Sequence, residues 1–153
     1  MTPSQLTALK ADILANYSTQ WSAGQVNIIA AAYNVVYTPD FYVWKTSVSV
    51  SELHDVYVWT EMDTLTQAKY NQLTLLLSQG SVNPSKSNVR QGMNDIFTAL
   101  TSTKAAITPI LKRLVTKGEK LFATGTGTTG TPGQLVFEGS ITSQDIYEAM
   151  SNG

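Results

Sequence analysis

The sequence predicts a mainly α protein: a helical bundle with short strands or an extended β arm and a C-terminal helix. Three observations carry that reading. Apolar residues recur at helical spacing in several segments, as Leu6, Leu9, Ile13 and Leu14 do near the N-terminus. Helix-start signals precede such segments: Thr2 with Gln5, Ser49 with Glu52, and Thr142 with Asp145 each place a hydroxyl three residues before a polar partner. A Gly/Thr-rich run beginning at position 123 then separates the helical region from a last short apolar stretch. Residues 1–122 are therefore expected to form a helical core domain with short extended segments. Residues 123–153 are expected to be a Gly/Thr-rich arm with a C-terminal strand and helix.

Taken in order, Thr2 caps a first helix, with Pro3 where a missing N–H costs nothing, and the helix fades near Asn16. Val26, Ile28–Ala32 and Tyr33 predict a second, buried helix that stops before Pro39, because the residue preceding proline avoids the α region. Phe41–Trp44 and Val56–Trp59 are β-branched and aromatic, which suits extended chain. Between them Ser49 and Glu52 open a helix of one or two turns, stapled by Val48 and Leu53. Thr64 to about Gln79 reads as a helix ended by Gly80. Pro84 and Ser85 open the next, which runs through Met93, Ile96, Phe97 and Leu100. Ile107, Ile110, Leu111, Leu114, Val115 and Leu121 then predict one helix from Thr103 to about Phe122, started or kinked by Pro109. Gln134–Glu138 alternates like a strand. Thr142 and Asp145, stapled by Ile141 and Ile146, start a terminal helix to about Met150.

Composition narrows the function classes. The chain has no Cys, which removes disulfides, thiolate zinc sites and cysteine nucleophiles together. Its net charge of −1 does not suit a protein that grips nucleic acid over its whole surface. Charged residues are 14% of the chain, against about 25% in ordinary domains. Ser and Thr, 34 in all, take their place. Such a neutral, hydroxyl-rich surface repels its own copies weakly and favours assembly. The N-terminus has neither a charged leader nor a continuous apolar core, so no classical export signal and no membrane span are expected.

The stretch Leu121 to Gly139 contains Gly125, Gly127 and Gly130 in the dinucleotide spacing G-x-G-x-x-G. That fingerprint needs a strand before the glycines and a helix after them. Here a helix is expected before, and Pro132 opposes an immediate helix after, so the run reads as a flexible connection or hairpin arm. His54, the one histidine, lies between Glu52 and Asp55 on a short helix, where the three side chains do not converge on a metal. No G-x-S-x-G elbow or carboxylate pair marks a catalytic centre, and no cofactor is expected. Tyr42, Trp44, Tyr57 and Trp59 alternate in pairs, as core aromatics do on extended segments. One charge pattern stands out. Lys104, Lys112, Arg113, Lys117 and Lys120 are half of the basic residues, and the spacing of Arg113, Lys117 and Lys120 predicts one shared helical face. That face is either solvated or a surface for phosphates or an acidic partner.

The segments "MTPSQLTALKADI", "IAAAYN", "FYVWKTSVSVSEL", "NPSKSNVRQGM" and "EKLFATGTGT…FEG" together resemble a family of virion structural proteins of tailed bacteriophages, along most of the chain. Within virions, a helical protein of this size is similar to head–tail connector, or adaptor, proteins of the neck. The resemblance implies a non-catalytic protein, located in the virion, that forms a homo-oligomeric ring beneath the portal and extends the DNA channel. Its implied partners are the portal protein, neighbouring copies of itself and tail-side neck proteins, with non-specific proximity to packaged DNA and no membrane. Arg113, Lys117 and Lys120 are then candidates to face DNA or the portal, and Val136, Phe137, Ile141 and Ile146 form a candidate docking segment. A capsid decoration or tail-completion protein, and a small soluble regulatory or binding module, are the alternative readings.

Overall fold

A computed structural model of the chain describes residues 1–151. Among them helices dominate, with four short strands in two small sheets, so the protein is mainly α. The chain forms two compact units. Unit 1 joins both chain ends, residues 1–42 and 114–153, and unit 2 is the uninterrupted stretch 43–113. This division differs from the expected one at position 122, because the C-terminal segment packs back onto the N-terminal helices.

The first half of unit 1 contains α1 (Pro3–Asn16), α2 (Ser18–Ser22) and α3 (Val26–Tyr33). The box that starts α1 is complete: Gln5 N donates to Thr2 Oγ1 at 3.3 Å, and Thr2 N donates to Gln5 Oε1 at 2.8 Å. Leu6, Leu9 and Ile13 are buried on one face of α1, as their spacing requires, against Val26, Ile29 and Tyr33 of α3. Tyr33 donates its hydroxyl to Asp12 at 2.5 Å. Burial, and then this bond to a carboxylate, push its pKa far upward, so it stays a neutral donor.

The chain enters unit 2 along β1 (Tyr42–Trp44). There β2 (Val48–Ser49) leads directly into α4 (Val50–His54), and the box between Ser49 and Glu52 is again complete. Val48 and Leu53 are both fully buried, as a staple should be. Next come α5 (Trp59–Met62), α6 (Gln67–Leu77), β3 (Ser81–Val82), α7 (Ser87–Ile96) and α8 (Thr101–Ile110). β2 and β3 pair antiparallel, Val48 opposite Val82, over a core of Leu53, Leu73, Met93, Phe97 and Ile107. Gly80, with φ +74°, closes α6 in a conformation other residues avoid. The expected second extended piece, Val56–Trp59, is not a strand. Tyr57 turns inward to 7% exposure while Trp59 starts α5 at 57% exposure. Their alternation comes from a loop.

The helix expected from Thr103 to Phe122 is three elements. After α8 come β4 (Lys112–Leu114), which pairs with β1, and α9 (Lys117–Phe122) back in unit 1. Pro109 offers no N–H, and α8 ends one residue later. Thr116 then starts a new helix through a box with Glu119: Thr116 N donates to Glu119 Oε2 at 3.0 Å and Glu119 N to Thr116 Oγ1 at 3.2 Å. Apolar periodicity continued through the break because Leu114 and Val115 fit a strand and a helix equally well by spacing alone.

The Gly/Thr run is not a loose tether. Thr124 and Gln134 exchange both backbone hydrogen bonds at 2.9 Å, closing a turn that lies on Tyr42 and Phe41. Gly127, at φ +69°, is pressed against Phe41, where a Cβ would come within 2.1 Å of the ring. Of the three spaced glycines only Gly127 is required by the Phe41 ring, Gly130 having nothing within 4 Å, and no helix follows until α10 (Ser143–Ser151). Gln134–Glu138 contributes a single bridge at Gln134 in place of the expected strand.

The candidate interaction groove

The basic residues singled out by spacing do not share a helical face. Arg113 lies in β4, and only Lys117 and Lys120 lie in α9. Lys117 Nζ donates to the Tyr17 hydroxyl at 2.7 Å and sits 4.6 Å from that ring's centroid. Lys120 Nζ stands 4.5 Å from the centroid of Phe41. Both ammonium groups are therefore engaged with aromatic rings of their own unit, and their stems cover apolar surface.

The residues of the candidate docking segment also separate. Ile141 and Ile146 are buried in the unit 1 core beside Leu9 and Ile29, and Phe137 stacks edge-on against Phe122. Only Val136 is exposed, at 64%. Asn34 fixes this segment by imitating a backbone: its Oδ1 accepts from Ile141 N at 2.9 Å and its Nδ2 donates to Ile141 O at 2.8 Å. The buried Glu119 accepts from Gly139 N at 3.2 Å. Ile141 and Ile146 hold the C-terminal helix to its own chain.

His54 packs against Tyr57 and Trp59, with ring centroids 5.3 and 5.8 Å away. The cleft they border, about 480 Å³, also holds Tyr70 and Asp63. The Tyr57 hydroxyl is buried without a hydrogen-bond partner, and burial pushes its pKa up to about 12. Among the described residues no group of three or more His, Asp or Glu is placed to hold a metal ion. No helix among them is long and apolar enough to cross a membrane.

A groove of about 430 Å³ lies in unit 2, between α7 and α8. Met93 and Phe97 from α7, with Ile107 and Leu111 from the α8 side, supply apolar walls, and Trp44 of β1 also lines it. Two cations rim it. Arg90 lies with its guanidinium carbon 4.7 Å from the Trp44 ring centroid, and its Nη1 donates to Pro84 O at 2.6 Å and Ser85 O at 2.8 Å. Partial burial lowers the Arg90 pKa, yet such a group stays charged in any ordinary buffer. Lys104 Nζ donates to Asn94 Oδ1 at 2.7 Å. Among the described residues no carboxylate lines the groove. An apolar floor with two held cations and no acid suits an apolar side chain flanked by carboxylates.

The groove rests on a cap that spacing did not reveal. Glu61 of α5 accepts from Ser102 N at 3.0 Å and Thr103 N at 2.8 Å, supplying partners for the first N–H groups of α8. The bond from Thr103 N, ahead of that from Ser102 N, holds the Glu61 pKa down to about 2. Arg90, too, lies outside the basic cluster that spacing picks out. Its signal was present: Arg90, Met93 and Phe97 are three and seven residues apart, so a cation shares the stripe that carries core residues. No family model matches the chain, and neither a curated protein nor a solved structure matches it.

Proposed function

We propose that this protein is a non-catalytic structural component of a tailed-phage virion, of the head–tail adaptor type. It sits in a homo-oligomeric ring beneath the portal, beside packaged DNA, with tail-side neck proteins as its further partners. The observation that supports this most is the α7–α8 groove: a lined, apolar-floored acceptor with Arg90 and Lys104 at its rim and no acid of its own. Such a groove suits a protein partner, on a chain whose low charge lets copies approach. In this reading α1, α3, α9 and α10 are the bundle of the adaptor, and the segment after position 122 carries its contact with neighbours.

The test is genetic and visual. Phage lacking this gene product should yield DNA-filled heads and free tails that do not join, seen by electron microscopy, and the protein should be present in purified wild-type particles. Normal joining in its absence, or particles without the protein, would sink the proposal.

A further inference from the structure

We infer that the α7–α8 groove of one copy receives the exposed face of α10 from a second copy. The inference rests on the assembly reading above and names the two surfaces involved. Ile146 and Ala149 face the unit 1 core, which leaves Gln144, Tyr147, Glu148 and Ser151 exposed. These four are spaced i, i+3, i+4, i+7, a single helical face with one aromatic at its centre. Tyr147 is 51% exposed, although its ring leans edge-on against Trp21.

Charge and length both match. The exposed face of α10 carries one carboxylate, Glu148, and no basic residue, while Asp145 turns back to accept from Thr142 N at 2.8 Å as the cap. The groove offers the reverse, Arg90 and Lys104 without a carboxylate. Gln144 to Ser151, Arg90 to Phe97 and Lys104 to Leu111 each advance seven residues, about 10 Å of helix. An amphipathic helix laid along two others is a common mode of recognition, with the apolar anchor in the groove and the charges at its edges. Here Tyr147 is the anchor, and Glu148 meets Lys104 or Arg90. Because the two surfaces differ, the contact is head-to-tail, and repeated it closes a ring or propagates a chain.

The cysteine-free sequence allows a direct test. One cysteine is placed at the groove rim (Gln91→Cys) and one on the helix face (Gln144→Cys, and separately Ser151→Cys, to sample both helix directions). Oxidation of one of the two pairs, the one that matches the helix direction, should give a ladder of disulfide-linked multimers beyond the dimer. Each single substitution should stop at the dimer, and a control pair with the second cysteine on α1 (Gln91→Cys with Ala11→Cys) should give no ladder. Adding Lys104→Glu, or Glu148→Lys, should reduce the ladder by about tenfold, and combining them should restore it. Circular dichroism verifies that each variant is folded, and recovery in the swap shows that neither single change acted by unfolding.

The inference is overturned by any of four results. These are no ladder in both purified protein and assembled particles, a disulfide closed within one chain, a bond from the groove cysteine to a different virion protein, or a charge swap that fails to restore the ladder. The two readings fail separately. A ladder from a protein whose loss leaves head–tail joining intact removes the adaptor role and keeps the docking. Absent ladders with defective joining do the reverse.

Discussion

Unit 1 and unit 2 are built from the same kinds of residues but hold themselves together over different distances along the chain. In unit 1 the decisive bonds join the ends: Asn34 to Ile141 across 107 positions, Lys117 to Tyr17 across 100, and Gln5 Nε2 to Val136 O across 131. In unit 2 the long-reaching side-chain bonds span far less, as from Glu61 to Thr103 across 42 positions and from Val58 N to the Thr103 hydroxyl across 45. Closing a longer loop costs more entropy, though only as the logarithm of its length, and contacts distant in sequence slow folding. Unit 2 can thus complete its core before the C-terminus is in place, whereas unit 1 must wait for it. Charge divides along the same line. Unit 1 has three basic and six acidic residues, and unit 2 seven basic and five acidic. The contrast between an acidic α10 and a cationic groove is the local form of that division.

Removing residues 134–153 is the most severe way to break this comparison. It deletes Ile141, Ile146 and Ala149 from the unit 1 core, burial worth on the order of 5 kcal/mol, which equals the whole net stability of many domains. Hydrogen exchange should show α1 and α3 losing protection while α7 and α8 retain theirs. Protection retained in α1 and α3 would mean that the C-terminal segment is an appendage after all.

A subtler strike at the same union is Gly118→Ala. The added Cβ would lie 2.6 Å from Ile141 Cγ1 and 3.3 Å from Tyr33 O. Overpacking costs about 1–3 kcal/mol, while alanine regains about 1 kcal/mol of helix propensity. A net loss is expected, read as a Tm lower by a few degrees. A rise in Tm would show that Ile141 moves aside freely.

Acid should discriminate between the units. The Glu61 carboxylate, held at about 2 against an ordinary 4.5, stabilises α8 fully above about pH 4.5 and progressively less as pH falls toward 2. Glu61→Gln lacks that charge, so the stability gap between wild type and variant should narrow on acidification. Exchange at the α8 amides should report it while α1 changes little. A gap constant from neutral pH to pH about 2 would remove Glu61 as the cap.

The smallest expected effect is that of Lys120→Met. Its cation lies over Phe41, an interaction worth about 0.5–1 kcal/mol, and the apolar replacement keeps the stem's packing. Thermal unfolding should shift only slightly, and the disulfide ladder should be unchanged. Loss of the ladder would place α9 in the contact between copies. Reversal of charge at both Lys117 and Lys120 is a harsher change than spacing suggested, since it sets carboxylates against the Tyr17 and Phe41 rings.

Much of the local structure was determined by the sequence alone. The boxes at Thr2, Ser49 and Thr142 specify helix starts through bonds that reach three residues, so no distant partner is needed to read them. Thr116 and Glu119 gave the same signal for α9, masked by apolar periodicity running through Leu114 and Val115. The preference of Phe41–Trp44 for extended chain likewise holds in β1. What tertiary structure decided is where each surface points. Ile141 and Ile146 look like a docking stripe until Asn34 and α3 bury them, and the Gly/Thr run looks like a flexible connection or hairpin arm until Gly127 closes on Phe41. Arg90 and Lys104 become one rim only because the fold brings residues of α7 and α8 to the same groove. Capping and turn chemistry act over a few residues and are written in the local string. Burial and convergence are sums over residues brought together by packing, and adjacency in sequence does not contain them.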